Sequence, residues 1–195
     1  MLTKEGVLAR IRGLSQEDLK WVIAESVPLI DNPGLGIGTN LWLALFHIVP
    51  QPCVELIIVD KIGTPGKILI TRRAENNPTH AGQLHCPGTY IRRGETNDMA
   101  MRRCIKRELG LGVEITDHRF ATQYNNPTGC AGDEKPGDKP RHTIGLVYLV
   151  QISGSPTSNV QHKWTDFIPA DVLPAHQKFL NEALGWEITN RKLFE

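Results

Sequence analysis

Apolar and polar positions alternate in two distinct rhythms along the chain. VELIIVD (54–60) is a β-branched apolar run of the kind that forms a central strand. GTPG (63–66) turns it and KILITRR (67–73) returns, which predicts a hairpin. Ser15, followed by Gln16, Glu17 and Asp18, gives a capping hydroxyl with acids in the first turn. Leu19, Val22 and Ile23 then repeat at helical spacing until Pro28. DNPGLGIGTN (31–40) reads as a loop, and LWLALFHIV (41–49) as a strand or a short buried helix that periodicity does not separate. Residues 1–45 thus form a helical N-terminal extension, packed on the main domain or swapped between copies of it, which leaves a homodimer open. Residues 46–195 form the main domain.

Within that domain, 74–82 and 89–95 are loops by composition, with Pro87-Gly88 between them. Thr96 caps a helix that runs to Leu109 and stops at Gly110. Strands are expected near Val113–Ile115, near Arg119–Tyr124 and over HTIGLVYLVQI (142–152). NNPTGCAGDEKPGDKPR (125–141) is a long surface loop, and WTDFIPADVLP (164–174) is a strand and turn leading into a last helix over 175–184. The sum is a mixed sheet with helices on its faces, α/β or α+β.

Charge narrows the partners. Lys and Arg number 22 against 21 Asp and Glu, which gives no basic footprint for nucleic acid. Hydrophobic residues make up 40% of the chain, as in a globular protein. The four cysteines, Cys53, Cys86, Cys104 and Cys130, form no CxxC pair, which fits reduced thiols in a cytoplasmic protein. MLTKEGVLARIRGL lacks an apolar signal region, and no run approaches the ~20 apolar residues of a membrane span.

The chemistry lies around the predicted helix. Glu95, Arg103, Ile105, Glu108, Gly110 and Leu111 fall in register with the Nudix box, G-x5-E-x7-R-E-U-x-E-E-x-G-U, where U is bulky and apolar. The chain therefore resembles the Nudix hydrolase family, over roughly residues 46–185 once the strand order and the closing WTDFIPADVLP are included. The resemblance implies an α/β/α sandwich with a mixed sheet. It also implies a structural ion pair between Glu95 and Arg103. Three positions depart from the box: Thr89 replaces its first Gly, Cys104 the Glu after the Arg, and Arg107 the first Glu of the final pair. Hard Mg²⁺ takes oxygen ligands, and a cationic Arg adds repulsion to the loss of a ligand. The ordinary several-metal pyrophosphatase site is therefore not expected. Cys104, mid-helix and facing the sheet, reads as a small buried apolar residue.

The degenerate box is similar to that of the GDP-mannose mannosyl hydrolases. That resemblance implies one Mg²⁺ (or Mn²⁺) held by the Gly88 carbonyl, Glu108 and Gln123. It implies attack at a sugar carbon with a nucleoside diphosphate leaving. Its general-base position holds Tyr124, a poor base at neutral pH; His142, His85 or His118 would have to substitute. The catalytic candidates are thus Glu108, Tyr124 and His142, and the diphosphate-binding candidates Arg72, Arg73, Arg92 and Arg93. Three readings follow. One is a divergent hydrolase of a nucleoside-diphosphate-linked substrate, with a nucleotide sugar as the specific case. The second is a Nudix-like domain that binds a nucleotide or a protein without hydrolysis. The third is a pyrophosphatase that recruits Asp133, Glu134 or Asp138 from the long loop.

Overall fold

The computed structural model describes residues 3–26, 49–75, 80–128, 141–157 and 161–194. The chain divides into two compact units, residues 1–39 and 40–195. In the first, α1 (Lys4–Arg12) is capped by Thr3, whose hydroxyl accepts from the Gly6 amide at 3.1 Å. In α2 (Gln16–Ser26), Ser15 Oγ accepts from the Asp18 amide at 3.1 Å, the capping that its sequence predicts. No residue of α2 is buried, and Trp21 and Ile23 are 65% and 50% exposed. Residues 41–48, whose form the sequence left open, lie outside the described residues.

The second unit is built on a seven-stranded mixed sheet. Its elements are β1 (Gln51–Val59), β2 (Ile68–Arg72), β3 (Leu84–His85), β4 (Gly88–Tyr90), α3 (Asn97–Leu109), β5 (Glu114–Thr128), β6 (Arg141–Ser153) and β7 (His162–Thr165). There follow β8 (Ile168–Pro169), α4 (Pro174–Leu184) and β9 (Ile188–Thr189). The strand order is β3-β2-β1-β6-β5, with β4 paired to β1 and β7 to β2; β8 and β9 form a small parallel pair apart. β1 and β6 run parallel, Gln51 to Val59 against Thr143 to Gln151. The predicted hairpin is present, with Ile58 opposite Leu69 and Val59 opposite Ile68.

Cys53 to Val59 are buried at every position, so β1 carries side chains into cores on both faces. Val54, Leu56 and Ile58 pack with Ala100, Met101, Cys104, Ile105 and Leu109 of α3. Ile57 and Val59 pack with Val147, Leu149, Phe179 and Leu180 on the α4 face. Each such apolar side chain contributes roughly 1.5–3 kcal/mol on leaving water.

One edge of β1 is shared by two partners. Its C-terminal end pairs with β2, while Cys53, Val54 and Glu55 pair with Tyr90, Thr89 and Gly88 of β4. The Leu56 amide bonds to the Pro87 carbonyl at the division, at 2.9 Å. Strand β4 thus stands where the sequence suggested only loop. β5 is also longer than expected. It runs unbroken to Thr128, through two register shifts at Ile115/Asp117 and Phe120/Thr122, so residues 125–128 extend a strand and not the loop. α3 matches its prediction, with Thr96 Oγ1 accepting from the Met99 amide at 3.2 Å and Gly110 ending it. Among the described residues no helix is long and apolar enough to cross a membrane.

Gly145 on β6 lies opposite Tyr124 on β5, and a Cβ there would overlap the tyrosine ring. The ring lies across the strand and stacks against Phe179, with centroids 5.3 Å apart. Gly145→Ala is expected to push the ring aside and lose about 1–3 kcal/mol of stability in chemical denaturation. Wild-type stability in that variant would show that the ring is not held there.

Candidate active site

Glu55 is the one charged residue in the buried run of β1. Its Oε1 accepts from the Tyr124 hydroxyl at 3.1 Å and from the Cys53 thiol at 3.4 Å. Its Oε2 is buried without a hydrogen-bond partner among the described residues. The carboxylate lies against Gly88, where any Cβ would overlap it. Burial pushes the Glu55 carboxyl up to about 7; the bonds from Cys53 and Tyr124 and the charges of Arg73 and Arg107 pull partly the other way. Tyr124 is raised, by burial first and then by the Glu55 charge, so it remains a protonated donor. Cys53 is raised for the same two reasons, and burial also raises Cys104, to about 12. These thiols are packing groups and weak donors.

The other wall is α3. Arg103 forks onto Glu95, with Nε 2.6 Å from Oε1 and Nη2 2.8 Å from Oε2. It also donates to Thr89 Oγ1 at 3.0 Å and to the Tyr90 carbonyl at 2.8 Å. The bond to Arg103 holds Glu95 below the ordinary carboxylate range. One turn on, Arg107 donates to Thr89 Oγ1 at 3.1 Å and to the Gly88 carbonyl at 2.8 Å. Its Nη2 is 2.7 Å from Glu108 Oε1. Arg73, just beyond β2, is held below its ordinary value by burial, against the opposing pull of the Glu55 and Glu108 carboxylates, and its Nε has no partner among the described residues. Two carboxylates and two guanidinium groups therefore converge at the end of the sheet where β1 meets β4.

The NUDIX domain family matches residues 51–189. This chain belongs to the Nudix family. Over 126 residues it is 29% identical to an ADP-ribose pyrophosphatase of Methanocaldococcus jannaschii, covering 62% of this chain and 68% of that protein. Among solved structures it is similar to a MutT NUDIX hydrolase from Burkholderia pseudomallei, with a TM-score of 0.54 at 20% identity over 69% of this chain and 98% of that one. A NUDIX hydrolase from Nitrosomonas europaea gives 0.50 at 13% identity over 69% and 88%. These structural likenesses establish the fold: the Nudix mixed sheet with helices on its faces.

The Nudix family acts on nucleoside-diphosphate-linked small molecules and generally uses divalent ions such as Mg²⁺. The three ligands expected from sequence are not drawn together. Arg107 engages both the Gly88 carbonyl and Glu108. Gln123 is exposed on β5, separated from Gly88 by β1 and β6, about 14 Å at the usual strand spacing. It also faces away from Tyr124, its neighbour in the strand. Among the described residues no three His, Cys, Asp or Glu side chains cluster as a metal site. As placed, these residues do not fit a three-oxygen Mg²⁺ site, because a cation already holds two of its oxygens.

The other expected residues scatter. His142, the second residue of β6, lies opposite Pro127, three residues from Gly145 and so on the other face from Tyr124. His118 is exposed on β5, packed edge-on to Tyr148. His85 is buried on β3 beside His176; burial, then the Arg73 charge, lowers it to about 3, so it is neutral near pH 7. Arg72 turns from the site, donating to the Gly82 carbonyl at 3.2 Å and lying 4.9 Å over the Phe194 ring. Arg92 and Arg93 are exposed in the turn before α3. Asp133, Glu134 and Asp138 lie outside the described residues. The residue that sequence reasoning missed is Glu55. Its signal was a lone carboxylate inside VELIIV, a run otherwise fit only for a core.

The raised Glu55 carboxyl has a measurable consequence. Unfolded, it releases its proton near its ordinary 4.5; folded, only near 7. Between those values the folded state binds more protons, so stability falls as pH rises across that window and stays lower above it. Glu55→Gln is expected to remove this loss, gaining on the order of 3 kcal/mol at pH 8 and little at pH 4. Parallel pH–stability curves for the two proteins would refute an ionising Glu55.

Proposed function

We propose that this protein hydrolyses a nucleoside-diphosphate-linked compound, with Glu55 as general base and Arg73 and Arg107 on the diphosphate. The observation that carries the reading is the unpartnered Oε2 of Glu55, buried beside both cations. A carboxylate poised near neutral pH can take a proton from an attacking water and still exist ionised at physiological pH. Guanidinium groups stabilise charge that grows on the diphosphate as a bond to it breaks. The likeness to an ADP-ribose pyrophosphatase supports ADP-ribose as the first compound to test.

A second reading is a domain that binds a nucleotide without turning it over. The Arg107 contacts favour it, because they engage oxygens that the family generally offers to a metal. Product analysis with ADP-ribose and with nucleotide sugars in ¹⁸O-water separates the cases. Label in a phosphate product marks attack at phosphorus. Label in the sugar marks attack at carbon, the outcome expected of a GDP-mannose-type enzyme. Binding with no product establishes the second reading.

For the hydrolase, kcat/KM is expected to rise with pH through about 7 as Glu55 loses its proton. Glu55→Gln should lower kcat by about 10²–10⁴-fold and flatten that limb while nucleotide binding persists. A Glu55→Gln enzyme with the wild-type rate and profile would remove Glu55 from the chemistry.

A further inference from the structure

Arg107 occupies an unusual position for a surface arginine. Its guanidinium reaches from the last turn of α3 to a backbone carbonyl on β4, to the neighbouring Thr89 hydroxyl, and to Glu108 beside it. Four of its contacts fall between 2.7 and 3.1 Å, so the group is held by a planar fork on both sides. Yet the side chain is half exposed, at 50%, while Glu108 beneath it is only 19% exposed. Each Nη nitrogen carries two hydrogens. Nη1 spends one on Thr89, which leaves another for an incoming anion. Arg73 supplies a second cation, whose charge interacts with both Glu55 and Glu108 and whose buried Nε has no hydrogen-bond partner among the described residues.

The charges bear on what this arrangement can accept. A divalent ion seated between the Gly88 carbonyl and Glu108 would sit against a guanidinium that already bonds both, and the two cations would repel in a partly desolvated site. A diphosphate meets the opposite situation, because guanidinium groups bind its oxygens directly. The guanidinium thus performs the two tasks a bound cation would perform. It neutralises Glu108, and it presents positive charge to the ligand.

Resting on the reading above that the site takes a diphosphate, we infer that Arg107 is the resident cation of this site and that diphosphate binding here does not require a divalent ion. The departure of this chain from the Nudix box at Arg107 is then a substitution of one cation for another. Binding is sequestered in the side chain and does not wait on metal supply.

Calorimetric titration of the full chain with ADP, in EDTA and again with excess Mg²⁺, tests this. The expected wild-type affinities agree within about twofold. Arg107→Glu should lose about tenfold or more in EDTA and recover with Mg²⁺, because it exchanges the resident cation for a metal-binding carboxylate. Wild-type binding that appears only with Mg²⁺ overturns the inference and leaves the diphosphate reading intact. No wild-type binding of ADP in either buffer, nor of inorganic pyrophosphate titrated in the same way, overturns both. Should Arg107→Glu fail to fold, Arg107→Gln decides in EDTA: a tenfold loss supports the inference and unchanged affinity overturns it.

Discussion

Glu55 sits among seven consecutive buried positions of β1, and a carboxylate there cannot be left unsupported. Its surroundings answer that constraint piece by piece. Tyr124 and Cys53 donate to one oxygen, and Gly88 leaves room for the other. Tyr124 can reach across only because Gly145 has no side chain. β4 brings Gly88 opposite Glu55 by taking over the edge of β1 that β2 has left. The division of that edge is therefore more than a topological detail. It opens the sheet at the point where an ionisable group, two guanidinium groups and a backbone carbonyl meet.

The helix contributes by a different logic. Arg103 bonds to Glu95, Thr89 and the Tyr90 carbonyl, which fixes the turn before α3 and the path of β4. Arg107 makes contacts of similar length but keeps half of its side chain in solvent. Two arginines a single turn apart thus divide their labour by exposure. The inner one shapes the backbone, and the outer one faces whatever enters.

Much of this architecture was legible in the sequence wherever local signals agreed. Thr96 and Gly110 bracket α3, GTPG turns the hairpin, and the apolar run over 142–152 is β6, because capping, turn chemistry and periodicity each act over a few residues. The Glu95–Arg103 geometry follows from the box register. The placement of Gln123 and His142 did not, because it depends on strand parity and on two register shifts in β5 that no local pattern announces. Arg72 and Arg73 were indistinguishable as neighbours, yet alternation sends one toward Phe194 and the other toward Glu55. Glu55 was hidden by the strength of the pattern around it, since its neighbours so clearly made a strand that its own chemistry passed unread.

The shared hydroxyl of Thr89 has a consequence for how such a site can change over time. It accepts from both arginines, so β4 is moored to α3 at two points one helical turn apart. A mooring with two lines tolerates the loss of one. Loss of the outer line would leave the Arg103 bonds to Thr89 and to the Tyr90 carbonyl in place. The charge offered at Arg107 and the anchorage supplied by Arg103 thus rest on different side chains.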